Sequence, residues 1–231
     1  MNTFSPSSKG RLTERDLGRF AGETLFDRVA RAVCRAGCLP RKELYEAWEV
    51  ARRVRRVFRG GRVADMAGGH GLLAHTLFLL DDSSAAAMVV DPVMPKSARA
   101  LHHLLVRAWP RLEGRVEYLP LAVDEVELRA ADVVVSCHAC GALTDLVLSR
   151  AATARARVAV LPCCHDEETC DMGGLGGWLE SSLAIDVVRA TRLEASGYRV
   201  WTQTIPADIT PKNRLLLGVP VGPASSETAS V

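Results

Sequence analysis

The chain has 231 residues, 48% of them hydrophobic, enough for one sizeable core or two small ones. A formal net charge of +2 excludes a globally basic field, so any nucleic-acid contact would need a local patch. No apolar run approaches the roughly 20 residues of a membrane span, and the opening MNTFSPSSKG carries no apolar leader segment, so the seven cysteines read as thiols of a reducing, cytoplasmic compartment.

Residues 1–10 are polar and read as loose. Leu12 to Cys38 reads as one helix with Leu17, Phe20, Leu25, Val29 and Val33 toward one face, punctuated by Gly37 and Pro40. Lys42 to Arg59 reads as a second helix, with Leu44, Trp48, Val54 and Phe58 on its apolar face and Gly60-Gly61 as its stop. Together they form an expected helical extension over residues 1–59, ahead of a domain at 60–220 and a disordered tail at 221–231.

From Arg62 the pattern turns to strand–helix alternation. Apolar, β-rich runs fall at 62–66, 85–91, 115–119, 132–136, 157–162, 198–205 and 214–219, with helical segments at about 71–80, 96–109, 143–153 and 178–196. Near-continuous apolar strands are those of a parallel sheet covered on both faces. The last two runs have no helix between them and read as an antiparallel pair. The expected fold class is α/β, a seven-stranded, doubly wound, mostly parallel sheet of Rossmann-like layout.

The segment Arg62–Ala74, RVADMAGGHGLLA, ends an apolar run on Asp65, places glycines at 68, 69 and 71, and continues into an apolar helix. Glycine lets backbone approach a ligand closely, and the helix start offers unpaired N–H groups. The spacing is not the dinucleotide fingerprint G-x-G-x-x-G, and no Gly-Lys-Ser/Thr follows to make a P-loop. It resembles the first motif of class I S-adenosylmethionine methyltransferases, with Asp65 on the strand-end acid and Ala67, Gly69 and Gly71 on the three small-residue positions. The resemblance implies S-adenosyl-L-methionine as cofactor, with Asp65, Ala67, Gly68, Gly69 and Gly71 shaping its methionine side. Asp91, ending the next strand before Pro92, is placed to accept both ribose hydroxyls, although Asp-Pro is also a common turn. Asp124, after the third strand, is the nearest acid for an adenine amine. His70, inside the turn, reads as a helix cap or a solvent-facing ring.

Two cysteine–histidine clusters follow the fourth and fifth strands: Cys137-His138-Ala139-Cys140-Gly141-Ala142-Leu143-Thr144-Asp145, and Cys163-Cys164-His165 with Cys170 downstream. Both are expected at the carboxyl ends of neighbouring strands, where ligands bind in doubly wound sheets. CHACGALTD followed by PCCH resembles a branch of methyltransferase-domain proteins carrying C-G-x-x-T-D and C-C-H elements. That branch includes the eukaryotic tRNA acceptor-stem 2′-O-methyltransferases and the methyltransferase domain joined to a glutathione-transferase-like domain in some animal proteins. The likeness spans about residues 40–220, including Ile209–Gly218 as the closing strand.

Several chemistries suit these residue types. His138 or His165 can act as general base or orient the acceptor. Cys163 or Cys164 can attack a base covalently if a neighbour lowers its pKa. Zinc is a third reading, with soft ligands at Cys137, His138, Cys140, Cys163, Cys164, His165 and Cys170, though C-H-x-C and C-C-H lack the usual C-x2-C spacing. Buried cysteines can also be plain apolar fillers. The assignment preferred is His138, Cys163, Cys164 and His165 as catalytic, with no metal. Asp145 is placed on the substrate side, or complements a helix N-terminus.

The stretch EVARRVRRVFRGGR carries six arginines between Arg52 and Arg62, with Val54, Val57 and Phe58 toward the core. Arg52, Arg53 and Arg56 are assigned to phosphate contact with RNA, against the reading of a solvated face. The expected function is an S-adenosylmethionine-dependent methyltransferase acting on RNA of tRNA type. A small-molecule or protein acceptor, or a non-catalytic cofactor- or metal-binding scaffold, are the alternatives. The sequence says nothing of oligomeric state.

Overall fold

The structure, a computed structural model, describes residues 4–222, so the expected tail lies almost wholly outside the described residues. The chain opens with a 3-10 turn at Glu14–Phe20, then α1 (Leu25–Ala36) and α2 (Arg41–Val57). The single helix expected over Leu12–Cys38 is therefore broken. Thr24 caps α1 by accepting the Asp27 N–H, and Arg31 holds the break by donating to the carbonyls of Phe20 and Gly22. Gly37, in the left-handed region at φ 61°, ends α1.

Strand–helix alternation follows: β1 (Val63–Met66), α3 (Leu72–Leu80), β2 (Ala87–Val90), α4 (Ala98–Ala108), β3 (Val116–Leu119), β4 (Val133–Ser136), α5 (Ala142–Ala154), β5 (Arg157–Val160), α6 (Ser181–Ala195), β6 (Tyr198–Thr204) and β7 (Arg214–Pro220). The sheet order is β3-β2-β1-β4-β5-β7-β6. Strands β1 to β5 pair in parallel, and β7 runs antiparallel between β5 and β6. This is the expected seven-stranded, doubly wound sheet. The order reverses between β1 and β4, and the carboxyl ends of those two strands open a crevice.

Successive residues of β1 feed opposite cores. Val63 joins the one containing Val50, Val54, Leu77 and Leu101, and Ala64 joins the one containing Val147, Leu148 and Leu193. Helix α3 is buried on nearly its whole surface because α2 lies over it. The N-terminal helices and the sheet thus share one core. Phe58 and Val54 enter that core as expected. Val57 does not: it ends α2 turned outward, 39% exposed.

Candidate cofactor cleft

The β1–α3 turn is built by backbone conformation. Ala67, Gly69 and Gly71 all lie in the left-handed region, at φ 52°, 51° and 70°. At Gly71 a Cβ would stand 2.8 Å from a Val89 methyl and 2.9 Å from the Tyr118 hydroxyl, so only glycine fits. The turn is then pinned by side chains. Asp65 accepts the Ala74 N–H at 3.1 Å, Asp91 accepts the N–H groups of Gly69 (3.1 Å) and Val93 (3.0 Å), and the Tyr118 hydroxyl donates to the His70 carbonyl at 3.0 Å. Burial pushes the Asp65 carboxyl up to about 7, and the Asp91 charge adds to the effect.

A cleft of about 420 Å³ opens over this turn, within the size range of small-molecule sites. Asp65, Ala67, Gly68, Gly69 and Asp91, expected on the cofactor side, line it, together with His138, expected on the acceptor side. Gly71 lies beneath the turn rather than on the wall. Asp124 is exposed in the loop after β3 and is not on the wall. His70 is half-buried, lines the cleft and hydrogen-bonds Ser97 Oγ at 2.9 Å. Helix α2 supplies Glu43 and Ala47, and the connection from α1 supplies Leu39. No motif marked these three, because they reach the site only through the packing of α2 on α3. Desolvation, then repulsion from Glu46, raises the Glu43 carboxyl above its ordinary value.

On the β4 side, Cys137 is buried and its thiol is held well above the ordinary range by desolvation. His138 lines the cleft as an exposed residue, and the protein around its ring, then Lys42, then His70, keep its imidazole below the ordinary value. Such a ring is neutral at working pH. Beyond it, Cys140 Sγ lies 3.0 Å from Cys163 Sγ, and Cys163 Sγ lies 3.8 Å from Cys164 Sγ. The two loops are laced together by the Gly141 N–H donating to the Cys164 carbonyl at 3.3 Å. Hydrogen bonding from Cys140 holds the Cys164 thiol below its ordinary value, while desolvation holds the Cys140 thiol above it.

The structure does not bring His165 or Asp145 to the cleft. The His165 ring is buried, its Nε2 2.8 Å from Asp186 Oδ1 and its Nδ1 without a partner. Asp186 also receives Arg214 at 2.7 Å and Arg189 at 3.3 Å. Asp145 receives Arg189 at 2.8 and 3.0 Å. Arg189, fully buried, further donates to the Gly141 carbonyl at 2.9 Å and to Cys170 Sγ at 3.4 Å. Desolvation opposes its charge, but the carboxylates prevail and raise its pKa. Asp145 therefore fastens α6 to the first turn of α5, and His165 fastens it to the loop after β5. Arg189 had no motif to announce it.

Nor do the arginines of α2 face the cleft. The helix starts there, with Glu43 and Ala47, and ends toward the amino ends of the strands, where Arg157 at the head of β5 donates to the carbonyls of Arg59 and Gly60. Arg55 is buried against the Leu77 carbonyl, Ser84 and Asp81. Arg52 and Arg53 both pair with Glu49, Arg53 also reaches the Thr204 carbonyl, Arg59 pairs with Asp81, and Arg62 pairs with Asp132. Three carboxylates, Glu49, Asp81 and Asp132, thus meet five of the six arginines, and Arg56 stays exposed.

Comparison with known proteins bears on this geometry. In fold, the chain is similar to an O-methyltransferase family protein from Burkholderia thailandensis (TM-score 0.53, 20% identity, 90% of this chain and 63% of that one). It is also similar to the mitomycin 7-O-methyltransferase MmcR (0.51, 21%, 89% and 60%) and to the B. subtilis tRNA methyltransferase TrmK (0.52, 14%, 75% and 66%). The chain thus spans about two-thirds or less of the length of these proteins. No curated protein matches it in sequence. Residues 42–170 match the family model described as a methyltransferase domain. The match covers more than half of the chain, including the glycine turn, Asp91, His138 and the cysteine trio: the chain belongs to this methyltransferase-domain family.

Proposed function

We propose that the chain transfers the methyl group of S-adenosylmethionine to a ribose hydroxyl of an RNA presented over His138. The observation that carries the reading is the cleft at the β1–β4 switch point, with a carboxylate at each strand end on one wall and a neutral imidazole on the other. Asp91 suits the ribose hydroxyls of the cofactor, and the glycine turn with Asp65 suits its methionine portion. Bound there, the cofactor supplies an activated methyl group on sulfur. With the cofactor held there, His138 would orient the acceptor hydroxyl toward that methyl group and would take its proton as it is methylated. Positioning supplies most of the rate and the base supplies the rest.

Support for RNA comes from the likeness of CHACGALTD and PCCH to tRNA enzymes and from cations at the mouth of the cleft. Arg11 acts electrostatically on His70, Lys42 on His138 and Cys164, and Lys212 on Cys140 and Cys164. We assign phosphate contact to Arg11 and Lys212, since Lys42 is paired with Glu46 at 2.8 Å and Arg52, Arg53 and Arg56 do not line the cleft.

Calorimetric titration with S-adenosylmethionine and S-adenosylhomocysteine tests the cofactor assignment. Asp91→Ala should weaken binding by about tenfold or more, since hydrogen bonds to a carboxylate each contribute about 1.5–3 kcal/mol. Absence of binding by a folded wild-type chain would leave a methyltransferase-like scaffold. Transfer of a labelled methyl group to total RNA, protein extract and small hydroxylated compounds then identifies the acceptor. Paired Arg11→Glu and Lys212→Glu changes should lower RNA affinity and flatten its logarithmic salt dependence by about 0.9 for each phosphate no longer neutralised. Arg52→Glu with Arg56→Glu should leave both unchanged. Label on a small compound alone would replace the RNA reading.

A further inference from the structure

We propose that Cys140, Cys163 and Cys164 form a three-thiolate site for zinc at the rim of the cofactor cleft. Their three sulfur atoms all lie within 4.8 Å of one another. Four-coordinate zinc with Zn–S bonds of about 2.3 Å requires sulfur–sulfur edges of about 3.8 Å. Cys163 and Cys164 already stand 3.8 Å apart. Cys140 and Cys163, at 3.0 Å, would separate by about 0.8 Å, a side-chain torsion rather than a backbone movement.

The backbone around the trio is fixed before any ion arrives. The Gly141 N–H to Cys164 carbonyl bond joins the two loops, and Arg189 clamps the Gly141 carbonyl from behind. Such preorganisation separates a site from a chance meeting of exposed thiols. Cys140 and Cys164 are exposed and Cys163 is half-buried, so an ion can enter from solvent. Three protein ligands leave the fourth position to water or to a cleft-side ligand, the arrangement of an open zinc site. The buried His165 Nδ1 has no partner and is one residue from Cys164, while its Nε2 is held by Asp186. A carboxylate fixing the other nitrogen is the usual support of a histidine that ligates metal. In the present structure the ring stands outside the trio's mutual 4.8 Å, so the three thiolates define the site. Each ligating thiol gives its proton to solvent as the S–Zn bond forms, so binding releases protons.

The experiment uses the full chain, reduced and freed of metal under anaerobic conditions. Cobalt(II) is titrated first, for its thiolate charge-transfer absorption, and zinc then displaces it. One ion per chain is expected, with Cys140→Ser, Cys163→Ser and Cys164→Ser each weakening zinc by about tenfold or more and diminishing the charge-transfer band. Cys34→Ser, Cys38→Ser and Cys170→Ser should leave both unchanged. S-adenosylmethionine binding by the same variants is measured in parallel, so that loss of the cofactor pocket is not mistaken for loss of the metal. Circular dichroism confirms that each variant folds, and serine at three solvent-reached positions preserves volume. No bound ion in the fully reduced chain overturns the proposal. So does zinc affinity that survives the triple serine variant, and so does an ion whose absorption carries no thiolate band.

Discussion

The two sides of the cleft are constructed in different ways. The β1–α3 turn is backbone architecture: three left-handed residues at alternate positions, a helix start, and two strand-end carboxylates that receive its N–H groups. The opposite side, after β4 and β5, is side-chain architecture. There Arg189, Asp145, Asp186, Arg214 and His165, contributed by α5, α6 and the loops and strand around them, hold the trio of thiols in place. The first kind of site survives exchange of most side chains. The second depends on a buried charge being met by every partner at once, because an arginine buried without them would be expensive.

That difference is broken most severely at Arg189. Removing one partner of a buried ion pair costs about 3–5 kcal/mol, and Arg189→Ala should approach the lower figure because Asp145 is 31% exposed and can be rehydrated. Urea unfolding should show the loss. Asp145→Leu with Arg189→Met should recover much of it, since that pair carries no orphaned charge. Cofactor affinity of Arg189→Ala should change far less than stability. An equal loss of both would mean that the two sides of the cleft are one cooperative unit.

The same contrast explains what was legible in the sequence. All seven strands and the helices from α3 to α6 could be read because they repeat their apolar pattern along a continuous stretch. The turn could be read because glycine is required locally, where a Cβ would strike Val89 and Tyr118. Asp145 and His165 were drawn to the substrate side by their position after strand ends, yet their partners lie on α6, at Arg189 and Asp186. Nothing local to either residue encodes that meeting. The arginine run is a related case. Its neutralising carboxylates, Asp81 and Asp132, come from elements beyond the helix, and only Glu49 is on it. The apolar spacing continues across the break at Ala21–Thr24 and masks it, although Gly22 and the capping Thr24, bonded to Asp27 three residues on, were a local signal; only the Arg31 clamp needs the folded structure.

A second test concerns the charge that the turn buries. The folded-state pKa of Asp65, about 7, lies above its unfolded value, so the protonated carboxyl stabilises the fold. That contribution is complete at pH below the unfolded value and is lost as pH rises toward 7. His75, on α3, has the opposite sense. Burial lowers its imidazole to about 4, so its contribution is complete above its ordinary value and is lost as pH falls through 4. The two partly cancel in the wild-type chain. Asp65→Asn removes the falling limb, and its stability relative to wild type should improve by on the order of 2 kcal/mol between pH 4 and pH 7. Thermal unfolding across that range measures it. A constant difference would place the Asp65 proton elsewhere.

The smallest effect sharpens the comparison most directly, because it asks whether the turn is backbone architecture after all. Ala67 holds φ 52° with a Cβ, where glycine would be free of strain. A left-handed conformation costs an L-residue about 1–2 kcal/mol, and glycine gives back about 0.5–1 kcal/mol through the entropy of its unfolded chain. Ala67→Gly should therefore raise stability by at most about 1.5 kcal/mol, with a matching rise in the unfolding midpoint. Against this stands the packing of the Ala67 methyl on the core beneath β1 and its place on the cleft wall. If Ala67→Gly instead destabilises the fold, that methyl outweighs the strain, and the turn shares the side-chain logic of the opposite wall. If it stabilises the fold and leaves S-adenosylmethionine affinity within about twofold, conformation alone sets this half of the cleft.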